Sequence, residues 1–240
     1  VGFSVANQVK AFGAVVVDAE YFLPQSRPRL FIVAIHSSIQ PPAIFLSKAA
    51  NPLWHPAALL KAQAVLSAKA RRDWLWLDLP TPMRRNISLA EIIEENPDTV
   101  NWHTRAETTR LVAMMSDVNR KKLQLARAAG TRRIGTIYKR TRVEAGKKVQ
   151  RAEVRFDGVA GCLRTPGGGS SRQTIIVVDG KLVRSRLISA REAARLMGLD
   201  DSYLLPARYN DAYHLAGDGV AVPVVRFLAE NLIEPLIARR

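Results

Sequence analysis

The chain has 240 residues, 48% of them hydrophobic, a single cysteine and a formal net charge of +15, with a pI near 10.6. That length and apolar content suffice for one large or two small packed domains, which excludes a disordered tail, and one cysteine excludes both an intrachain disulfide framework and a cysteine-rich zinc site. No run approaches the roughly 18 apolar residues of a membrane helix and the first residues lack a secretory pattern, so a soluble cytoplasmic protein with no membrane partner is expected.

The charge is unevenly spread. Between His103 and Leu187 stand 20 lysines and arginines against 6 aspartates and glutamates, so nearly all of the surplus lies in the middle of the chain. A concentrated cationic stretch of this kind is expected to meet phosphates and release their counterions.

In chain order, residues 14–18 and 29–35 are predicted strands, separated by a polar, proline-bearing stretch. Residues 37–56 read as an irregular connection and 57–72 as a helix. An alternating run through Trp74, Trp76 and Leu79 follows, and then a capping box from Ser88 to Glu91. The spacing of Leu111, Met114, Met115, Val118 and Leu125 predicts one helix over 105–128, stopped at Gly130. Residues 135–142 and 149–156 are predicted basic extended segments, 161–173 a glycine-rich loop, and 174–178 with 181–183 a hairpin around Asp179 and Gly180. Ser189 and Glu192 form a second capping box, opening a helix that ends at Gly198. Asp218 is the expected N-cap of a C-terminal helix striped by Val225, Leu228, Leu232 and Leu236, its regular turns starting near Val222 because of Pro223.

Three motifs stand out. Gln25, Arg27 and Arg29 alternate in a stretch that Pro28 holds out of the helical region, so three donor-rich side chains share one face. Residues 186–198 read RLISAREAARLMG, and Gly217, Asp218, Gly219 and Val220 precede Pro223 and Val224. In this order the three resemble motifs of the DNA cytosine-5 methyltransferases, with the basic stretch lying where that family inserts its target recognition domain. Asp218 departs from the asparagine usual there.

The resemblance implies an α/β fold: the C-terminal portion of a Rossmann-like methyltransferase domain with an inserted mixed α+β target recognition domain. The expected boundaries are 1–37 for the end of the catalytic domain, 38–183 for the recognition domain, and 184–240 for a hinge helix and C-terminal helix returning to the catalytic domain. It further implies that Arg29 contacts a flipped cytosine, that Arg27 holds DNA phosphate and that Gln25 lines the site. Gly217, Asp218, Gly219 and Val220 would border S-adenosyl-L-methionine. Tyr138, Lys139, Arg140, Arg142, Arg164, Thr165 and Arg172 are expected on duplex DNA, whereas Gly167, Gly168, Gly169, Ser170 and Ser171 either follow the DNA or only connect a hairpin. Arg191, Glu192 and Arg195 read as architecture, and no metal is expected.

The family's thiolate nucleophile follows a proline, and neither it, the ring-binding glutamate nor the glycine-rich cofactor turn is found in these residues. Cys162 follows Gly161 and reads as a small buried residue. Together with Val1 in place of methionine, this leads to the expectation of a chain that is inactive alone. It would work with a missing N-terminal half of the methyltransferase, on the same polypeptide or a separate subunit. The alternative is a non-catalytic, sequence-specific DNA-binding subunit or remnant. A related RNA methyltransferase fits the large basic insertion less well.

Overall fold

A computed structural model describes residues 9–165 and 172–237. The chain divides into two compact units: the first takes the described residues up to Asp18, then Pro28–Met83 and the residues from Pro223 on, and the second takes Ala19–Arg27 and Arg84–Val222. These units do not follow the boundaries expected at 37 and 183. Residues 38–83 build onto the sheet of the first unit, and 184–222 pack with the basic sheet of the second. No helix among the described residues is long and apolar enough to cross a membrane.

The first unit is built on strands β1 (Val9–Asp18) and β2 (Pro28–His36), an antiparallel pair in which Val17 faces Arg29 and Val15 faces Phe31. After β3 (Leu46–Ser47), helices α1 (Ala57–Ala64) and α2 (Ala68–Arg72) lead to β4 (Trp74–Leu77), which joins β1 in parallel and gives the order β2-β1-β4-β3. The single helix expected over 57–72 is broken because Ser67 caps a new start, its hydroxyl accepting from the Ala70 amide, which leaves Val65 84% exposed. Trp54, inside the stretch read as irregular, is fully buried; its indole donates to the Leu79 carbonyl and its ring lies 5.8 Å from Phe227. The C-terminal helix runs Val222–Leu228 and continues through a π turn, and it buries Leu228, Leu232 and Leu236 while Val225, expected in the same stripe, is exposed.

The second unit opens with α3 (Leu89–Ile92), where Ser88 and Glu91 form the expected capping box. The helix expected over 105–128 is two helices, α4 (Arg105–Ala113) and α5 (Asp117–Ala128). The break is tertiary in origin. The Met114 carbonyl leaves the helical ladder to accept from the Ala152 amide (3.1 Å), and Asn119 ties the Ser116 hydroxyl to the Val154 amide. Met115 is thereby fully buried, whereas Val118 and Leu125, expected in the stripe, face solvent. Strands β5 (Arg133–Glu144), β6 (Lys147–Arg155), β7 (Thr174–Asp179) and β8 (Leu182–Leu187) form an antiparallel sheet ordered β6-β5-β7-β8. Leu111, Met115, Leu123 and Ala126 cover one of its faces, packing on Ile137, Ala152, Val154, Ile176 and Val178. Helix α6 (Ala190–Leu196) starts at the predicted Ser189–Glu192 box, and α7 (Tyr209–Asp218) follows. Asp218 therefore ends one helix instead of capping the next.

The β5–β6 hairpin turns on Ala145 and Gly146, both with positive φ (46° and 76°). A left-handed alanine is strained where Asn-Gly is the favoured pair, so Ala145→Asn is expected to stabilise the chain by about 1 kcal/mol. A higher urea midpoint at unchanged slope is the predicted readout; an unchanged or lower midpoint would count against strain at this turn.

Candidate nucleic-acid interface

Gln25 and Arg27 share one environment, as their alternation implies, but they face into the second unit. Arg27 is 2% exposed. Its Nη1 donates to the Leu163 carbonyl (2.8 Å) and its Nη2 to those of Gly217 (2.8 Å) and Gly219 (2.7 Å), while the Cys162 sulfur lies 3.4 Å from Nη1. Gln25 is fully buried, donating to the Leu196 carbonyl and accepting from the Leu163 amide. The backbone joins in: Ser26 donates to the Ala160 carbonyl and Ala160 to that of Pro24. These two residues thus bind three chain-distant segments into one clamp, and the phosphate-holding role expected of Arg27 has no exposed group from which to act. Arg29 belongs to the first unit, half-buried on β2, with Nη1 donating to the Pro28 carbonyl.

The clamp also explains Gly217 of the last motif. A side chain at Gly217 would come within 2.9 Å of the Thr165 amide and hydroxyl. The close approach at Gly217 is therefore made by the 163–165 loop, whereas a side chain at Gly219 would meet the Leu215 carbonyl of α7 at 3.0 Å. Asp218 is exposed and accepts from the Thr165 hydroxyl, and Val220 is 44% exposed.

Tyr138 belongs to this network and not to the surface. Its ring lies on the backbone at Gly161, where a Cβ would be 2.3 Å from the ring, and its hydroxyl donates to the Cys162 carbonyl. Because a phenol has one proton, Gln173 must face it with its amide nitrogen (2.6 Å), an orientation in which the same side chain also bonds both backbone groups of Gly161 and the Thr136 hydroxyl. Burial, with Tyr213 and Cys162 adjacent, pushes the phenol well above its ordinary range and keeps it a donor. Cys162, expected as a small buried residue, is half-buried.

The remaining expected DNA contacts separate by face. Arg140 and Arg142 project with Tyr138 from the sheet face opposite the helices; Lys139, paired with the buried Ala152, is on the helix side. Both arginines meet Glu153, Arg140 through Nε at 3.2 Å and Arg142 through Nε at 2.7 Å, and across the hairpin Arg151 bonds Glu144. Arg155, on the same face, holds Asp157. Arg151 and Arg155 were not singled out in the sequence, although the alternation of β6 puts both beside Arg140 and Arg142. Arg164 is exposed on the clamped loop. Thr165 and Arg172 both bond α7, through Asp218 and Asn210, and the Arg172 guanidinium lies over the Tyr209 ring at 5.4 Å. Residues 167–171 lie outside the described residues.

On the same side of the sheet, where Arg186 pairs through Ile175 with Thr136, residues 186–198 act as scaffold. Arg186 and Glu192 form a fully buried ion pair with both terminal guanidinium nitrogens engaged (2.6 and 2.8 Å), and Glu192 also accepts from the amides of Ser189 and Glu94. Arg195 makes a two-bond contact with Asp201, and Arg191 caps the carbonyls of Asp200 and Tyr203.

Among known proteins, the chain is similar to the type II methyltransferase M1.ScrFI of Lactococcus lactis subsp. cremoris, with 38% identity over 61 residues, 25% of this chain and 16% of that protein. It is also 31% identical over 93 residues to the type II methyltransferase M.HpaII of Haemophilus parainfluenzae, covering 33% of this chain and 26% of that one. The matched segments thus span about a quarter or less of these relatives. A solved Dnmt2 methyltransferase from S. pombe aligns over 97% of this chain and 60% of its own, at 14% identity and a TM-score of 0.44. The model of the C-5 cytosine-specific DNA methylases matches residues 6–234, and the chain belongs to that family.

Proposed function

We propose that this chain is the DNA-recognising part of a cytosine-5 methyltransferase that moves a methyl group from S-adenosyl-L-methionine to carbon 5 of cytosine in duplex DNA. The observation that carries the reading is the β5–β6 hairpin, whose two strands hold eight lysines and arginines against two glutamates, on a sheet anchored by the Arg27 clamp and the Arg186–Glu192 pair. Such a surface suits a phosphate backbone, with Arg140, Arg142, Arg151 and Arg155 on one face of the hairpin. Arg29 is assigned the stabilisation of charge on the flipped cytosine ring, a task for a planar, permanently charged donor. Within the second unit, Tyr138 and Arg27 hold the loop that carries Arg164.

The methyl donor supplies an electrophilic methyl group when bound. Of the last motif, exposed Asp218 and Val220 are the residues left to border it, since the Gly217 and Gly219 carbonyls already serve Arg27. The nucleophile is assigned to a further segment, because Cys162 sits in the clamped loop, its thiol donating to the Leu163 carbonyl beside Arg27. The chain alone is accordingly inactive.

The test is transfer of labelled methyl from S-adenosyl-L-methionine to unmethylated duplex DNA, by the chain alone and with the complementary segment supplied. Activity only in the second case, reduced at least about 100-fold by Arg29→Ala, is expected. Transfer by the chain alone would refute the division of labour. DNA binding without transfer in either case would favour a non-catalytic DNA-binding subunit.

A further inference from the structure

The second unit carries another cationic site, away from the hairpin. A pocket of about 570 Å³ opens where α4, α5 and the β7–β8 turn meet, rimmed by Arg105, Arg127, Lys181 and Arg184. Its floor is apolar, made by Val112, Leu123 and Val183, with 55% exposed Leu182 at its edge. No carboxylate lines it. The contrast with the hairpin is instructive: Arg140, Arg142, Arg151 and Arg155 each hold an acidic partner, whereas none of the four rim cations makes an ion pair among the described residues.

Two of the four are nevertheless held in place by contacts that leave their charge unneutralised. Arg127 Nη2 donates to the Lys181 carbonyl (3.2 Å), and the Arg184 guanidinium lies 4.3 Å from the centre of the Trp102 ring. Arg105 occupies the first turn of α4, where the helix dipole disfavours a cation, so its charge there serves something other than the helix. The location is separate as well. The pocket's Val112, Leu123 and Val183 belong to the helix-covered face of the sheet, where Val183 pairs with Val178 of the core, whereas Arg140, Arg142, Arg151 and Arg155 project from the opposite face.

From pre-positioned, unneutralised cations around an apolar floor we infer that this pocket binds an organic phosphate of nucleotide size, its phosphate at the rim and its sugar or base on the floor. The source is either a free nucleotide or the backbone of DNA, and the assay separates them. Calorimetric titration of the 240-residue chain would use the thymidine dinucleotide pTpT, inorganic pyrophosphate and a short duplex, with the variant Arg105→Gln/Lys181→Gln and, as control, Lys61→Gln/Lys69→Gln on α1 and α2. All four of these residues are exposed and make no ion pair among the described residues, and melting curves check that each variant folds.

The expected result is saturable pTpT binding, weakened at least about tenfold by the rim variant and little changed in the Lys61/Lys69 control. Parallel weakening of duplex binding in the rim variant identifies the DNA backbone as the source; unchanged duplex binding identifies a free nucleotide. Absence of pTpT binding, equal binding by the rim variant, or pyrophosphate binding as tightly as pTpT would each overturn the inference. None of these readouts involves methyl transfer, so failure of the enzymatic reading leaves them interpretable.

Discussion

Glu192→Ala is expected to lower the chain's unfolding free energy by about 3–5 kcal/mol, because it strands a fully buried Arg186 charge. The loss is larger than a surface pair could produce. Glu192 also accepts from the Ser189 and Glu94 amides, so the same substitution removes a helix cap and a tether to the segment after α3. Replacing both partners by apolar residues, Arg186→Met with Glu192→Leu, should recover part of the stability, since no unpaired charge then remains. Urea denaturation monitored by circular dichroism gives the answer. A loss below about 1 kcal/mol for Glu192→Ala would mean that the pair is solvated and not structural.

Arg27→Ala is the second. Removing the guanidinium leaves the carbonyls of Leu163, Gly217 and Gly219 without this donor, which predicts a loss of about 3–4 kcal/mol. Arg27→Lys should rescue little, because one ammonium on a flexible stem cannot reproduce a planar fork that spans three acceptors. Hydrogen exchange localises the effect: the Leu163 and Ala160 amides should exchange faster in both variants, while those of β5 and β7 change least. Wild-type stability in Arg27→Lys would show that the fork geometry is dispensable. Because the clamp holds the loop bearing Arg164, weaker DNA binding by a folded Arg27 variant would reflect lost positioning, not a lost phosphate contact.

The sequence made some of this legible, and the reason is locality. The boxes at Ser88–Glu91 and Ser189–Glu192 were readable because cap and partner stand three residues apart. The start of the C-terminal helix near Val222 followed from the fixed geometry of Pro223. What escaped depended on distant partners. The break between α4 and α5 rests on a bond from Met114 to Ala152, and α7, with Asn210, Asp211 and Gly217 in its sequence, is held by packing of fully buried Tyr213. Alternation placed Gln25 and Arg27 on one face but carried no information about the direction of that face, because their partners lie more than 130 residues away. The rim cations Arg105, Arg127, Lys181 and Arg184 are scattered over four segments, and only the fold assembles them.

Glu153, set between Arg140 and Arg142, gives the hairpin a resident competitor. Any phosphate arriving there must displace a carboxylate that returns as soon as the phosphate leaves, so a partial contact gains little and ends quickly. A duplex that engages the whole face at once displaces the competitor in one event and is held. The arrangement thus shortens the dwell time of casual encounters more than that of complete ones, and lets a strongly cationic chain search without sticking.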